Sequence, residues 1–145
     1  MILRFIRLLA GPVITATLCG CSSVAPGPPL AEAYPVHGRI TFPDRSPLKG
    51  GMIYFTPAET KANGLIRYET AALVDLKGNY ELGFNGDRSG APAGDYKVTI
   101  MPRDYQELRQ SNSNRIPARY REQSTTPLTE ITVKEGDNVL DFELK

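Results

Sequence analysis

The chain has 145 residues, 41% of them apolar and 23% charged, with 17 Lys and Arg against 16 Asp and Glu. That length and balance accommodate one core plus a short extension and leave no surface pre-charged for a polyanion, so neither a second domain nor nucleic-acid binding is expected. Thirteen Gly and twelve Pro alongside seven Tyr and five Phe favour short strands joined by tight turns over a helical bundle.

The N-terminus begins with Arg4 and Arg7 and continues as an uncharged, mostly apolar run from Leu8 to Leu18. Basic-then-apolar is the layout of an export signal, and the run is too short for a spanning helix and is interrupted by Gly11-Pro12. Both cysteines follow at once, in TLCGCSS, residues 17–23. A disulfide across one intervening residue would be strained. A metal clip lacks further ligands, because His37 is the sole histidine. A plain signal peptide with incidental cysteines is the remaining ordinary reading. Leu18, Cys19, Gly20 and Cys21 resemble the lipobox of bacterial lipoproteins, in which a small residue precedes the cysteine that becomes acylated. The resemblance implies cleavage after Gly20, lipid on Cys21 and durable anchoring in the cell membrane or outer membrane, since two or three acyl chains hold where one does not. The expected organisation is a signal peptide over 1–20, a lipidated cysteine and Pro-rich tether over 21–33, and a domain over 34–145. Counted from Cys21, the chain carries 15 basic and 16 acidic residues.

From Tyr34 the pattern alternates. Val36, Gly38, Ile40 and Phe42 share one parity, opposite His37, Arg39 and Thr41, which predicts a strand with one buried face. PDRSPLKGG, residues 43–51, is a turn, and MIYFTP, 52–57, is apolar enough to predict a strand buried on both sides. TAALVDL and YEL around Gly78-Asn79 predict a hairpin. GDYKVTI places Tyr96, Val98 and Ile100 inward, and TEITV and NVLDFEL complete the chain around Gly136-Asp137-Asn138, with Leu140, Phe142 and Leu144 inward. About seven strands and no strong helix predict an all-β fold, a small Greek-key β-sandwich. Residues 102–127 are the exception: polar and long for a passive loop, with a short helix expected over DYQELRQ and with Ile116 and Tyr120 as its apolar anchors.

These segments together, VHGRITFPDRSPLKGGMIYFTP, LVDLKGNYEL, GAPAGDYKVTI, IPARYREQSTTPLTEITVKEGDN and the final FEL, resemble the small lipoproteins of planctomycete-type bacteria that carry a carboxypeptidase-regulatory-like, transthyretin-like domain. The likeness spans nearly all of residues 35–145 and implies a Greek-key sandwich of about seven strands. It implies no activity, because fold does not dictate function. The hydroxyisourate hydrolases of the same fold use more than one histidine and a Tyr-Arg-Gly-Ser ending. This chain has one histidine and ends DFELK.

No catalytic residue, cofactor or metal is expected. His37 lies on the polar parity of its strand without a second base. Asp75, Glu81, Asp141 and Glu143 sit beside turns or point outward. Asn85, Asp87 and Asp95 offer oxygen to calcium, but Arg88 opposes a cation and turn chemistry explains the same residues. No Gly-rich phosphate loop leads from a strand into a helix. The loop carries Arg103, Arg109, Arg115, Arg119 and Arg121 with Asp104, Glu107, Tyr105 and Tyr120. Arg and Tyr dominate interface hot spots, so Arg115, Arg119, Tyr120 and Arg121 are the candidate contact residues. The expected role is a non-enzymatic structural or interaction module of the envelope, its partner a protein or a glycan. A carbohydrate-binding module is the alternative, and it would require a row of exposed aromatics in a chain without Trp.

Overall fold

The structure is a computed structural model that describes residues 26–83, 89–103 and 110–145. The cysteines and the expected export signal, the calcium candidates Asn85 and Asp87 with Arg88, and the expected DYQELRQ helix, apart from Gln110, lie outside the described residues.

Among the described residues the fold is all-β, with only two 3-10 turns, at Ser113–Arg115 and Ala118–Tyr120. The strands are β1 (Ala33–Tyr34), β2 (Val36–Thr41), β3 (Met52–Pro57), β4 (Lys61–Ala62), β5 (Leu65–Ile66), β6 (Thr70–Leu73), β7 (Asn79–Glu81), β8 (Ala91–Pro92), β9 (Gly94–Met101), β10 (Ile131–Val133), β11 (Asn138–Val139) and β12 (Phe142–Glu143). One four-stranded sheet runs β10-β9-β3-β6 and is antiparallel throughout. In the other, β2 pairs antiparallel with β7 along one edge and parallel with β11 and then β12 along the opposite edge. Two small ribbons, β1-β8 and β4-β5, complete the set. No helix among the described residues is long and apolar enough to cross a membrane.

The period-two parities of the sequence reappear as burial. Val36, Ile40 and Phe42 of the first alternating stretch are buried, as are Tyr96, Val98 and Ile100 of β9. β3 is central in its sheet, yet only Ile53, Phe55 and Pro57 are fully buried while Met52, Tyr54 and Thr56 are half-covered. The expectation of burial on both faces is thereby corrected. Aromatic rings join the two sheets: Phe55 of β3 stands 6.3 Å from Tyr80 of β7 and 6.2 Å from Phe142 of β12, in tilted geometries that suit ring quadrupoles.

The expected hairpin around Gly78-Asn79 is an arch instead. β6 belongs to the first sheet and β7 to the second, so the chain turns and crosses the core. The Asp75 carboxylate closes the turn by accepting the backbone N–H groups of Lys77 and Asn79, each at 2.8 Å, in place of a strand ladder. β10 and β11 are joined by a second arch. There the buried Asn138 side chain accepts from the Lys134 N–H and donates to the carbonyls of Lys134, Gly136 and Pro35. NVLDFEL is likewise not one strand: it bends at Leu140-Asp141, burying Phe142 and Leu144 while Leu140 stays half-covered at the core margin.

The domain also begins earlier than Tyr34. Ala31 donates to the Ile66 carbonyl at 2.8 Å and Ile66 donates to the Pro29 carbonyl at 3.0 Å, so Pro29–Ala31 is docked against β5.

Candidate functional site

The segment from Gln110 to Pro127 is a strap bound along the first sheet. At one end Asn112 is clamped to the Pro47–Lys49 turn: its Oδ1 accepts the Lys49 N–H at 2.6 Å and its Nδ2 donates to the Pro47 carbonyl at 3.0 Å. In the middle Ile116 and Tyr120, 1% and 3% exposed, enter the core as the sequence anticipates. At the other end the buried Thr126 hydroxyl donates to the Val98 carbonyl at 2.6 Å, and Gln123 donates to Thr56 Oγ1 at 2.9 Å.

The four candidate contact residues divide accordingly. Tyr120 differs from the expectation of an exposed contact: the ring is interior, and its hydroxyl accepts the Lys145 N–H at 3.0 Å. Arg121 is turned inward, with Nε and a terminal nitrogen donating to the Ile116 carbonyl at 3.2 and 2.7 Å. It stabilises the strap's own turn. Arg115 remains half-exposed, paired with Asp44 at 3.0 Å and lying 4.2 Å over the Phe42 ring. Arg119 is exposed above the Tyr120 ring at 5.4 Å. The outward guanidiniums of the set are therefore Arg115 and Arg119. Asp44 is held down to about 2 by the Ser46 hydroxyl and N–H and then by Arg115, so it keeps its charge under all ordinary conditions.

Concavities that the sequence does not signal lie beside the strap and, apart from it, along the edge of β6. A pocket of about 490 Å³ lies between strap and sheet, lined by Tyr54, Glu69, Thr99, Met101, Arg121 and Gln123 among others. A shallower groove of about 840 Å³ runs where the free edge of β6 approaches β7, with His37, Arg39, Asp75, Glu81 and Asp141 on its walls. Several of these groups already serve the fold. Asp141 accepts the Arg39 N–H at 2.7 Å, and Arg39 Nε donates to the Lys77 carbonyl at 3.1 Å. Burial pushes the Asp75 carboxyl up, but the donors from Asn79 and Lys77 outweigh it and hold it below its usual value. His37 lies outward, as its parity predicts, with Nδ1 3.4 Å from Asp137. Such a groove offers mixed polar contacts to a ligand.

Asp95 accepts the Thr132 hydroxyl at 2.7 Å, a cross-strand bond between β9 and β10. Among the described residues no three His, Cys, Asp or Glu side chains are grouped to hold a metal ion. No known protein family matches the chain, and neither a curated protein nor a solved structure is significantly similar to it.

Proposed function

We propose that this chain is an exported lipoprotein, acylated on Cys21, whose domain is a Greek-key, transthyretin-like β-sandwich serving as a non-enzymatic interaction module at the cell envelope. The observation that carries the reading is the placement of Leu18-Cys19-Gly20-Cys21 directly after a basic and then apolar N-terminus. The two four-stranded sheets, linked by arches that cross the core twice, are the arrangement such a sandwich needs. The contact surface is the strap, through Arg115 and Arg119, because a pinned segment loses little further entropy when a partner binds. A glycan-binding role draws less support: no Phe or Tyr among the described residues is fully exposed to stack on a sugar ring.

Palmitate labelling of cells expressing the wild type and Cys21→Ala tests the anchor. Label on the wild type alone supports it, and equal labelling of both refutes it. Capture of envelope proteins by the wild type but not by Arg115→Ala combined with Arg119→Ala tests the surface, and identical capture by both refutes it.

A further inference from the structure

The strands set two ends to this domain. At one end Met52 opens β3 opposite Met101 and Leu73, and the turns of Pro47–Lys49 and Asp75–Gly78 gather there, Gly50 donating to the Asp75 carbonyl. At the other end Pro57 closes β3 opposite Tyr96, and Val133 pairs with Gly94. The β4-β5 hairpin emerges beyond Pro57, and the Arg67 side chain that follows it lies against Gly94. Pro29–Ala31 is docked on β5 of this hairpin, so the tether leaves from the Pro57 end. A strand of six residues separates the two ends by roughly 17–20 Å.

Seven residues lie between Cys21 and Pro29, which makes eight Cα–Cα steps. Fully extended they span at most about 28 Å, and as a flexible chain about 16 Å on average. The docking point is thereby kept near any bilayer that holds Cys21. Beside that point the surface is apolar where it could be polar: Leu30 is 43% exposed and Leu65 37%. The hairpin tip, Asn63-Gly64, has both residues in the left-handed region, and nothing lies within 4 Å of where a Gly64 side chain would start, so the tip projects clear of the domain. Its charges, Lys61 and Arg67, stand beside Glu32, Glu59 and Glu69 in the adjoining segments, so this end carries no excess of positive charge.

From this we infer that the β4-β5 hairpin and the docked Pro29–Ala31 segment form the bilayer-facing end of the domain, with Leu30 and Leu65 lodged among the lipid headgroups. The inference rests on the lipoprotein reading and adds to it an orientation. Two partly exposed leucines would bind a membrane weakly by themselves, but a short tether makes the contact intramolecular and a weak surface affinity is then enough. Without a basic excess, the contact does not call on anionic lipid. The consequence for the strap is direct: the Asn112 clamp and the Arg115–Asp44 pair stand at the Met52 end, directed away from the membrane toward whatever the domain meets.

The chain contains no Trp, so a single introduced indole reports its own surroundings. Leu65 and Leu76 are both 37% exposed, and Leu76 lies in the turn at the opposite end. Full-length Leu65→Trp and Leu76→Trp, produced in a bacterium that processes lipoproteins and checked for palmitate, are reconstituted in phosphatidylcholine vesicles with and without brominated acyl chains. Leu65→Trp is expected to emit further to the blue and to lose most of its intensity to bromine, and Leu76→Trp to do neither. Leu30→Trp repeats the reading from the docked segment should Leu65→Trp fail to fold. Labelled protein with equal emission and quenching at both ends overturns the orientation alone. Absence of palmitate on the wild type overturns the anchor and the orientation together.

Discussion

Gly38→Ala is the sharpest test of how the second sheet is built. Gly38 sits in the middle of β2 where β11 ends and β12 has yet to begin, and a Cβ there would lie 2.0 Å from the Leu140 carbonyl oxygen and 2.6 Å from its carbon. Both are backbone atoms, so no side chain can swing away. Restoring an ordinary contact of 3.4 Å requires the Leu140 peptide to retreat by about 1.4 Å. That peptide is held by three bonds: the Tyr80 hydroxyl donates to its oxygen at 2.6 Å, its N–H donates to the His37 carbonyl at 2.9 Å, and the next residue's carboxylate accepts the Arg39 N–H at 2.7 Å. Each such bond contributes about 1 kcal/mol net, and a Tyr80 hydroxyl left buried without a partner costs about 1–3 kcal/mol. The sum is about 3–5 kcal/mol, a large fraction of the roughly 5–15 kcal/mol that keeps a domain folded. Thermal unfolding followed by circular dichroism should show the midpoint fall by about 10–20 °C. Tyr80→Phe alone should cost about 1–2 kcal/mol, but in the Gly38→Ala background its additional cost should shrink toward zero, because the shared carbonyl has already moved. A midpoint within about 3 °C of the wild type, or full additivity of the two substitutions, would refute this account of the bend at Leu140-Asp141.

The remaining expectations concern the strap, the second arch and the Asp44 turn. Thr126→Val keeps the shape but removes the donor to Val98 and the acceptor of the Leu128 N–H, and should cost about 1–2 kcal/mol in urea unfolding. Asn138→Ala strips four bonds from the arch between β10 and β11 and should cost about 2–4 kcal/mol in the same assay. A cost below about 0.5 kcal/mol in either case contradicts the assigned role. Asp44 has a folded pKa of about 2 against an ordinary 3.8, so its contribution is fully present above pH 3.8 and disappears as pH falls through about 2. Its carboxyl carbon should titrate by NMR near 2. Ser46→Ala should raise that midpoint more than Arg115→Ala does, and the reverse order would mean that the ion pair, not the turn, sets it.

Local chemistry written in neighbouring residues was legible from the chain alone. The alternation in β2 and β9 named the buried faces, because side chains of a strand point to opposite sides in turn whatever the strand pairs with. Ile116 and Tyr120 stood out as anchors because they are apolar residues in a polar stretch. The proposal that Cys21 carries lipid rests on the same kind of local pattern, and the palmitate labelling is its test. What only the tertiary structure decided is which surfaces those pieces meet. A turn sequence such as Asp75–Gly78 suits a hairpin and an arch alike, and the choice is made by where Val74, Tyr80 and Leu82 find a core. Gly38 carries no local signal for its role, because the carbonyl that forbids a side chain there arrives from 102 residues away. Arg121 and Arg115 look the same in sequence, yet one is spent on the carbonyl of Ile116 and the other is paired with Asp44 at the half-exposed surface. The docking of Pro29–Ala31 on Ile66 depends on backbone hydrogen bonds between segments more than thirty residues apart. Such bonds are blind to side-chain identity and leave no trace in composition.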